Sequence, residues 1–262
     1  MNWRRRIDTS YAFFLRSYIF TIRNLFSFFE VLFFPLVGLV SVGLLGKFLS
    51  LSGVVQSFIL VGAMTAGVLQ VTQLDVSYGL LYDVWSKSIK QTFLAPVSIY
   101  EAIFGSFLFG IVRGLSVFLL LCLVSSSLFS FSLPDIAATL VFLSGVFLFA
   151  LLTGTVVHLS ILLFGQRIDI IAWSISVIAM LLCGIYYPVT ILPSSLVFLS
   201  SLIPLTYFLE YMRSFYGFSP HFHAPIAKGF CLCVLYILAL FMLLHLAIKK
   251  GKRTGMFLRM SE

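Results

Sequence analysis

Charge is scarce in this chain: 10% of its 262 residues are Asp, Glu, Lys or Arg, and only 9 of them are acidic. A soluble domain carries about 25% charged residues to cover its surface. The shortage excludes an ordinary soluble enzyme and leaves lipid as the solvent. Cysteines are also few. Cys122, Cys183, Cys231 and Cys233 lie in apolar stretches, form no C-x-x-C pair and have no His at ligand spacing. They read as small core residues, not as metal ligands or a disulfide framework. A nucleotide loop is missing too. The nearest approach, ending in Gly46-Lys47, has Ser41 where the first glycine belongs and Phe48 where Ser or Thr belongs. The expectation is therefore no catalytic centre, metal or cofactor in this chain. After Met-Asn-Trp-Arg-Arg-Arg there is no short apolar region with a cleavage site, so no cleaved signal peptide is expected.

What is present is apolar bulk: 61% hydrophobic residues and a mean hydropathy of +1.11. The net charge of +8 and pI near 9.5 invite a nucleic-acid reading. The basic residues, however, sit at the chain ends and between apolar runs, which is how orientation signals are placed in membrane proteins. No nucleic-acid partner is expected.

A helix needs about 20 apolar residues to cross a ~30 Å hydrocarbon core. Such runs occur at 28–46, 54–74, 102–125, 136–165, 168–187 and 226–248. They are continuously apolar rather than alternating, so they predict helices and not a barrel. Thirteen of the 17 basic residues fall on one side of this threading, among them Arg4, Arg5, Arg6, Arg16, Arg23, Lys87, Lys90, Arg167, Lys249, Lys250 and Lys252. Lys47, Arg213 and Lys228 fall on the other. Positive charge marks the cytoplasm. The expected architecture is all-α: six transmembrane helices with both termini cytoplasmic, in one domain. An interfacial segment covers 1–27, the bundle covers 28–248, and a basic tail covers 249–262.

Residues 189–210 are also apolar, but Pro188, Pro193 and Pro204 interrupt them. Proline removes a helical hydrogen bond and clashes with the preceding turn. The ten residues between Pro193 and Pro204 would reach only ~15 Å as a helix. This stretch is predicted to be a re-entrant or interfacial excursion on the outer face.

Two segments on the basic side are amphipathic. Tyr11, Phe14, Leu15, Tyr18, Ile19, Ile22, Leu25 and Phe26 recur at steps of three and four. This stripe predicts a helix lying among the headgroups, with one bent first span as the alternative. Between Gly79 and Pro96, Leu81, Trp85, Ile89 and Phe93 recur every four residues, while Asp83, Lys87, Lys90 and Gln91 form another face. A short two-faced helix is predicted, with Asp83 and Lys87 spaced for an i,i+4 pair.

Taken in order, these features resemble the membrane subunit of type-2 ABC exporters, the class of the daunorubicin and nodulation-factor efflux permeases. Tyr82 to Ser98, ending Leu94-Ala-Pro-Val-Ser98, is similar to the family's first cytoplasmic loop. Val112-Arg113-Gly114-Leu115 is similar to its R-G segment. Gly184-Ile-Tyr-Tyr187-Pro188, Leu192-Pro193, Pro204-Leu-Thr-Tyr207 and Arg213 resemble its outer stretch. The chain departs from the family before the loop helix, where an acidic residue and an Arg-Gly-Thr run are replaced by Ser77, Asp83, Lys87 and Ser88. The resemblance implies an export permease in a bacterial cytoplasmic membrane, paired as a homodimer or with a related subunit. A separate cytosolic ATPase would bind ATP and Mg and dock on the loop helix. Asp83, Trp85, Lys87, Lys90, Gln91 and Phe93 would form that coupling surface.

Arg113 lies within an apolar run, where a charge costs about 2.5–3.5 kcal/mol on insertion scales. Glu101 is twelve residues back on the same helix, ~18 Å away, so Glu30, Asp169 or a backbone carbonyl is the expected partner. Gln70 and His158 read as hydrogen-bonded packing residues inside the membrane. His221 and His223 lack a third ligand. An ion-coupled secondary transporter would need carboxylates at mid-bilayer. The acidic residues here are expected near span ends or in loops. An intramembrane lipid-modifying enzyme would need a nucleophile, base or metal cluster that the sequence does not contain.

Overall fold

The computed structural model describes residues 3–165 and 169–254. Among the described residues there are ten α-helices and no strand. In chain order they are α1 (Trp3–Arg23), α2 (Leu25–Phe48), α3 (Gly53–Trp85), α4 (Ile89–Leu94), α5 (Ile99–Phe129), α6 (Ile136–Phe164), α7 (Asp169–Leu182), α8 (Ser194–Ser201), α9 (Pro204–Ser214) and α10 (Pro225–Thr254). Five of them, α2, α3, α5, α6 and α10, are long and apolar enough to cross a membrane.

Contacts at the helix tips fix the path. At one end, Lys47 Nζ on α2 donates to the Leu128 carbonyl on α5 at 2.6 Å. Phe58 near the start of α3 meets the Phe218 ring at 4.8 Å. Tyr216 Oη donates to the Ser132 carbonyl before α6 at 2.8 Å. At the other end, Arg16 of α1 pairs with Asp83 of α3. His158 of α6 lines a small cavity with Asp83, and Tyr100 of α5 meets Phe241 of α10. Helix α7 lies beside the middle of α3, where Ala172 meets Gln73, and leads to the turn at Gly184 and Ile185 that meets Gly62 and Arg213 toward the opposite end. Five long helices thus run along the bundle with the shorter α7 beside them, and α1, α4 and the tip of α10 share one end.

Two predicted boundaries need correction. The second span does not stop at residue 74, because α3 continues to Trp85 and spans 33 residues, about 50 Å. The fifth span is shorter than predicted: α7 has 14 residues, about 21 Å. It stops because Gly184 takes φ +66°, letting the Ile185 N–H bond the Met180 carbonyl at 3.3 Å and the Gly184 N–H bond the Leu181 carbonyl at 3.5 Å. This paired closure is a Schellman motif, which a residue with a Cβ would strain.

The prolines at 193 and 204 do separate two short helices. Pro193 caps α8, Pro204 opens α9, and the two axes are bent by 93°. Proline suits a first helical position because its missing N–H would have no partner there. In the core, α3 is packed on most sides, with Leu69 and Val76 fully buried, whereas α2 and α10 show apolar faces such as Phe33, Phe34, Leu238 and Met242. Helix α1 is separate from α2, broken at Asn24. It packs on α5 through Ser10, Phe13 and Phe14, and leaves Tyr11, Tyr18, Ile19 and Ile22 exposed.

Candidate functional site

Three polar constellations stand out along the bundle. At the α4 end, the loop read as one two-faced helix over 79–96 is two helices with a corner. α3 ends at Trp85, and Lys87 takes φ +56°. The Ser88 N–H then reaches the Asp83 carbonyl at 2.8 Å and the Lys87 N–H reaches the Val84 carbonyl at 3.1 Å. This is the same Schellman closure as at Gly184, here without glycine. Ser86 Oγ supports it by donating to the Tyr82 carbonyl at 2.6 Å.

The corner corrects the expected faces. Asp83 was placed on the exposed polar face; it is only 2% exposed. Its carboxylate accepts from Arg16 at 2.5 and 3.3 Å, from Thr92 Oγ1 at 2.9 Å and from Ser88 Oγ at 3.3 Å. Asp83 therefore joins α1, α3 and α4 from inside, and the helical i,i+4 relation to Lys87 ends at the corner. Trp85, which belongs both to the apolar stripe and to the expected coupling surface, is 49% exposed, its ring tilted against Tyr78 and edge-on to Tyr82. Ile89 is fully buried and Phe93 half-buried, as the four-residue step implied. The surface that faces outward consists of Trp85, Lys87, Lys90, Gln91 and Leu94. Leu94, 76% exposed, was missed. Its apolar character gave no hint that the six-residue α4 would turn it outward.

Deeper in the bundle, Arg113 on α5 forms an ion pair with Asp75 on α3. Asp75, a carboxylate on the neighbouring helix, is a partner outside the expected set; the side chains of Glu30 and Asp169 lie outside the described residues. The pair corrects the placement of acidic residues, since Asp75 is 7% exposed and within α3. The Asp75 Oδ2 atom has no hydrogen-bond partner among the described residues. Asp75, Arg113 and Gln70 line one small cavity with Pro35 of α2 and Trp173 of α7. Close helix approach makes the pair possible, because Gly110 sits against Thr72, whose Oγ1 donates to the Gly110 carbonyl at 3.2 Å.

Gln73, unlike Gln70, was not singled out, yet it is fully buried. Its Nε2 donates to the Ala172 carbonyl at 3.1 Å and to Ser77 Oγ at 2.8 Å, and its Oε1 accepts from Ser176 Oγ at 2.8 Å. This amide ties α3 to α7. His158 is buried on α6, with Nδ1 2.9 Å from the Gly154 carbonyl.

At the opposite end, the residues quoted from the outer stretch converge. Arg213 on α9 is 4% exposed. It donates to the Gly184 carbonyl at 2.9 Å and to the Ile185 carbonyl at 2.5 Å, with its guanidinium 3.5 Å from the Phe58 ring centroid. A guanidinium fork suits two adjacent carbonyls, and stacking on an aromatic face adds to the contact. Gly62 of α3 is required here: a Cβ at that position would strike the Ile185 carbonyl oxygen. Tyr187 Oη donates to the Leu181 carbonyl, and Pro188 caps the 3-10 turn Val189–Ile191. Thr206 Oγ1 donates to the Ser200 carbonyl at 2.9 Å and Tyr207 Oη to the Ser201 carbonyl at 2.7 Å. Both bonds hold the corner between α8 and α9.

No protein-family model matches the chain. A stretch of 48 residues, 18% of this chain, is 48% identical to an uncharacterized protein of Archaeoglobus fulgidus, covering 75% of that protein. Over this stretch the two chains belong to one family. The relative's name states no activity, so function here rests on the chain's own geometry.

Proposed function

We propose that this chain is the membrane subunit of an ATP-driven exporter of the type-2 ABC class, with the α4 end in the cytoplasm. The observation that carries the reading is the α3–α4 corner. It is a short helix buttressed from inside by Asp83 and showing Trp85, Lys90, Gln91 and Leu94 to the solvent. An apolar anchor flanked by basic and amide groups is what a protein partner requires of a docking surface. Because Asp83 also holds Arg16, a push on α4 is delivered to α1 and α3 together.

The remaining architecture agrees with this reading. Six passes bring α1, α4 and the α10 tip to the end richest in Lys and Arg, and the cytoplasm is the side that attracts them. α7 counts as a crossing, a short hydrophobic segment being accommodated by local thinning of the bilayer. The bent α8–α9 pair is a re-entrant hairpin, since neither helix, at 8 and 11 residues, reaches across ~30 Å. Two copies, or one copy with a related subunit, would enclose the path. The ATP and Mg would be held by the cytosolic ATPase.

The test is reconstitution of the full chain in proteoliposomes with an ABC ATPase that co-purifies with it. Trp85→Ala combined with Lys90→Ala is expected to abolish stimulation of ATP hydrolysis while leaving insertion intact. Stimulation that survives the double substitution removes the docking assignment.

The Asp75–Arg113 pair favours a second reading, an ion-coupled transporter, because ionisable residues inside the membrane mark ion pathways. That reading requires transport driven by a proton gradient without ATP and lost in Asp75→Asn. Transport that needs ATP in both proteins rejects it.

A further inference from the structure

Beyond any transport path, a groove of about 1040 Å³ runs between α1, α5 and the inner part of α10. One wall is a stripe on α5, Phe104, Leu108 and Val112, spaced at steps of four so that all three share a face. Ile7 and Tyr11 of α1 form the facing wall. Phe104 and Val112 are each about half exposed, at 51% and 52%. The groove is open along its length to the surroundings of the bundle. From Tyr100 to Val112 it follows twelve residues of α5, about 18 Å, close to one leaflet of a ~30 Å core.

Its two extremities differ in chemistry. The deep part is apolar. The mouth carries Arg6, next to Arg4 and Arg5 in sequence, and none of the three makes an ion pair among the described residues. The acidic residue at the mouth, Glu101, is already engaged. Its carboxylate accepts the Ser98 N–H at 3.0 Å in the capping box that opens α5, where the helix dipole offsets a negative charge. The mouth therefore presents uncompensated positive charge above an apolar slot.

We infer that this groove holds one anionic phospholipid of the leaflet at the α4 end, its phosphate at Arg6 and an acyl chain along Phe104, Leu108 and Val112. The occupant is fixed by two observations together. A water-soluble partner does not reach 18 Å into the lipid-facing side of α5. A purely apolar occupant would leave the Arg6 guanidinium without a counter-charge. The lipid also explains how α1 is held. On its bundle side α1 crosses α5 closely, where a Cβ on Gly105 would lie within 2.7 Å of Phe13 Cβ. On its other side the exposed Ile7 and Tyr11 need an apolar neighbour.

The test is native mass spectrometry of the full chain in detergent, titrated with equal amounts of phosphatidylglycerol and phosphatidylcholine. One phosphatidylglycerol per chain is expected to be retained in preference to phosphatidylcholine. Arg6→Ala should lower that preference about fivefold, the factor that one basic residue near an anionic surface contributes. Val112→Trp, filling the slot at an exposed position, should remove retention of both lipids; Leu108→Trp serves if that variant does not fold. Equal retention of the two lipids, or a preference unchanged by Arg6→Glu, overturns the proposal. So does a groove variant that abolishes self-association of the chain while lipid retention persists, since the slot would then belong to a second copy.

Discussion

At the α4 end an arginine on α1, 40% exposed at its side chain, reaches a buried carboxylate on α3. At the hairpin end a buried arginine on α9 reaches two backbone carbonyls and lies on a phenylalanine ring. The first contact joins two side chains, one of them bathed in solvent, and can open without exposing backbone. The second satisfies carbonyls that have no other helical partner, so opening it leaves buried acceptors bare. The two ends thus differ in what opening them would expose. The Asp75–Arg113 pair lies between them and belongs with the second, both partners being largely buried.

Removing one partner of that central pair is expected to have the largest effect. Arg113→Leu should cost about 3–5 kcal/mol, because it strands the Asp75 charge. The double substitution Arg113→Leu with Asp75→Leu should recover most of this in thermal unfolding in detergent. Equal losses in single and double variants would place the cost in packing and not in charge.

Next is Arg213→Ala, expected to cost roughly 3 kcal/mol through two charge-assisted hydrogen bonds. Arg213→Lys should recover little, since an ammonium does not span two carbonyls as a planar fork does. A loss below about 1 kcal/mol would erase the contrast between the ends. At the α4 end, Arg16→Ala should cost no more than about 1 kcal/mol, as expected for an ion pair with one exposed partner. Asp83→Ala should cost more than Arg16→Ala, because Ser88 and Thr92 lose their acceptor as well. Identical melting temperatures for these two would show that the buried hub carries nothing beyond the arginine. The smallest change in stability, within about 0.5 kcal/mol, is expected for Trp85→Ala with Lys90→Ala, whose readout is the stimulation of ATP hydrolysis that the proposed docking predicts.

The pattern of successes in reading the sequence has a physical basis. Helix class, the break between α8 and α9, and burial of Ile89 depend on local periodicity and on proline, and these are written in adjacent residues. The errors lie where a polar residue is satisfied from far along the chain. The apolar run of the second span ends at residue 74, where Asp75 and Ser77 follow it in the sequence. In the fold Asp75 meets Arg113 and Gln73 meets Ala172 and Ser176, so α3 continues through them. Asp83 was turned outward for the same reason: its partner Arg16 lies 67 positions earlier. No rule of spacing along one helix contains that information. The Arg213 cluster was legible as a set of residues, but its geometry depends on Gly62, whose role appears only when a carbonyl is brought against it.

Helix α3, at 33 residues, is a stiff rod about 50 Å long, and it carries Asp83 near one tip and Gly62 near the other. Levers convert small rotations into large displacements. A tilt of about 5° moves the far tip of such a rod by about 4 Å, more than the length of the hydrogen bonds that hold Arg213 to the α7 turn. A displacement at the α3–α4 corner is thus felt at the hairpin end of the bundle, with no relay of intermediate side chains required.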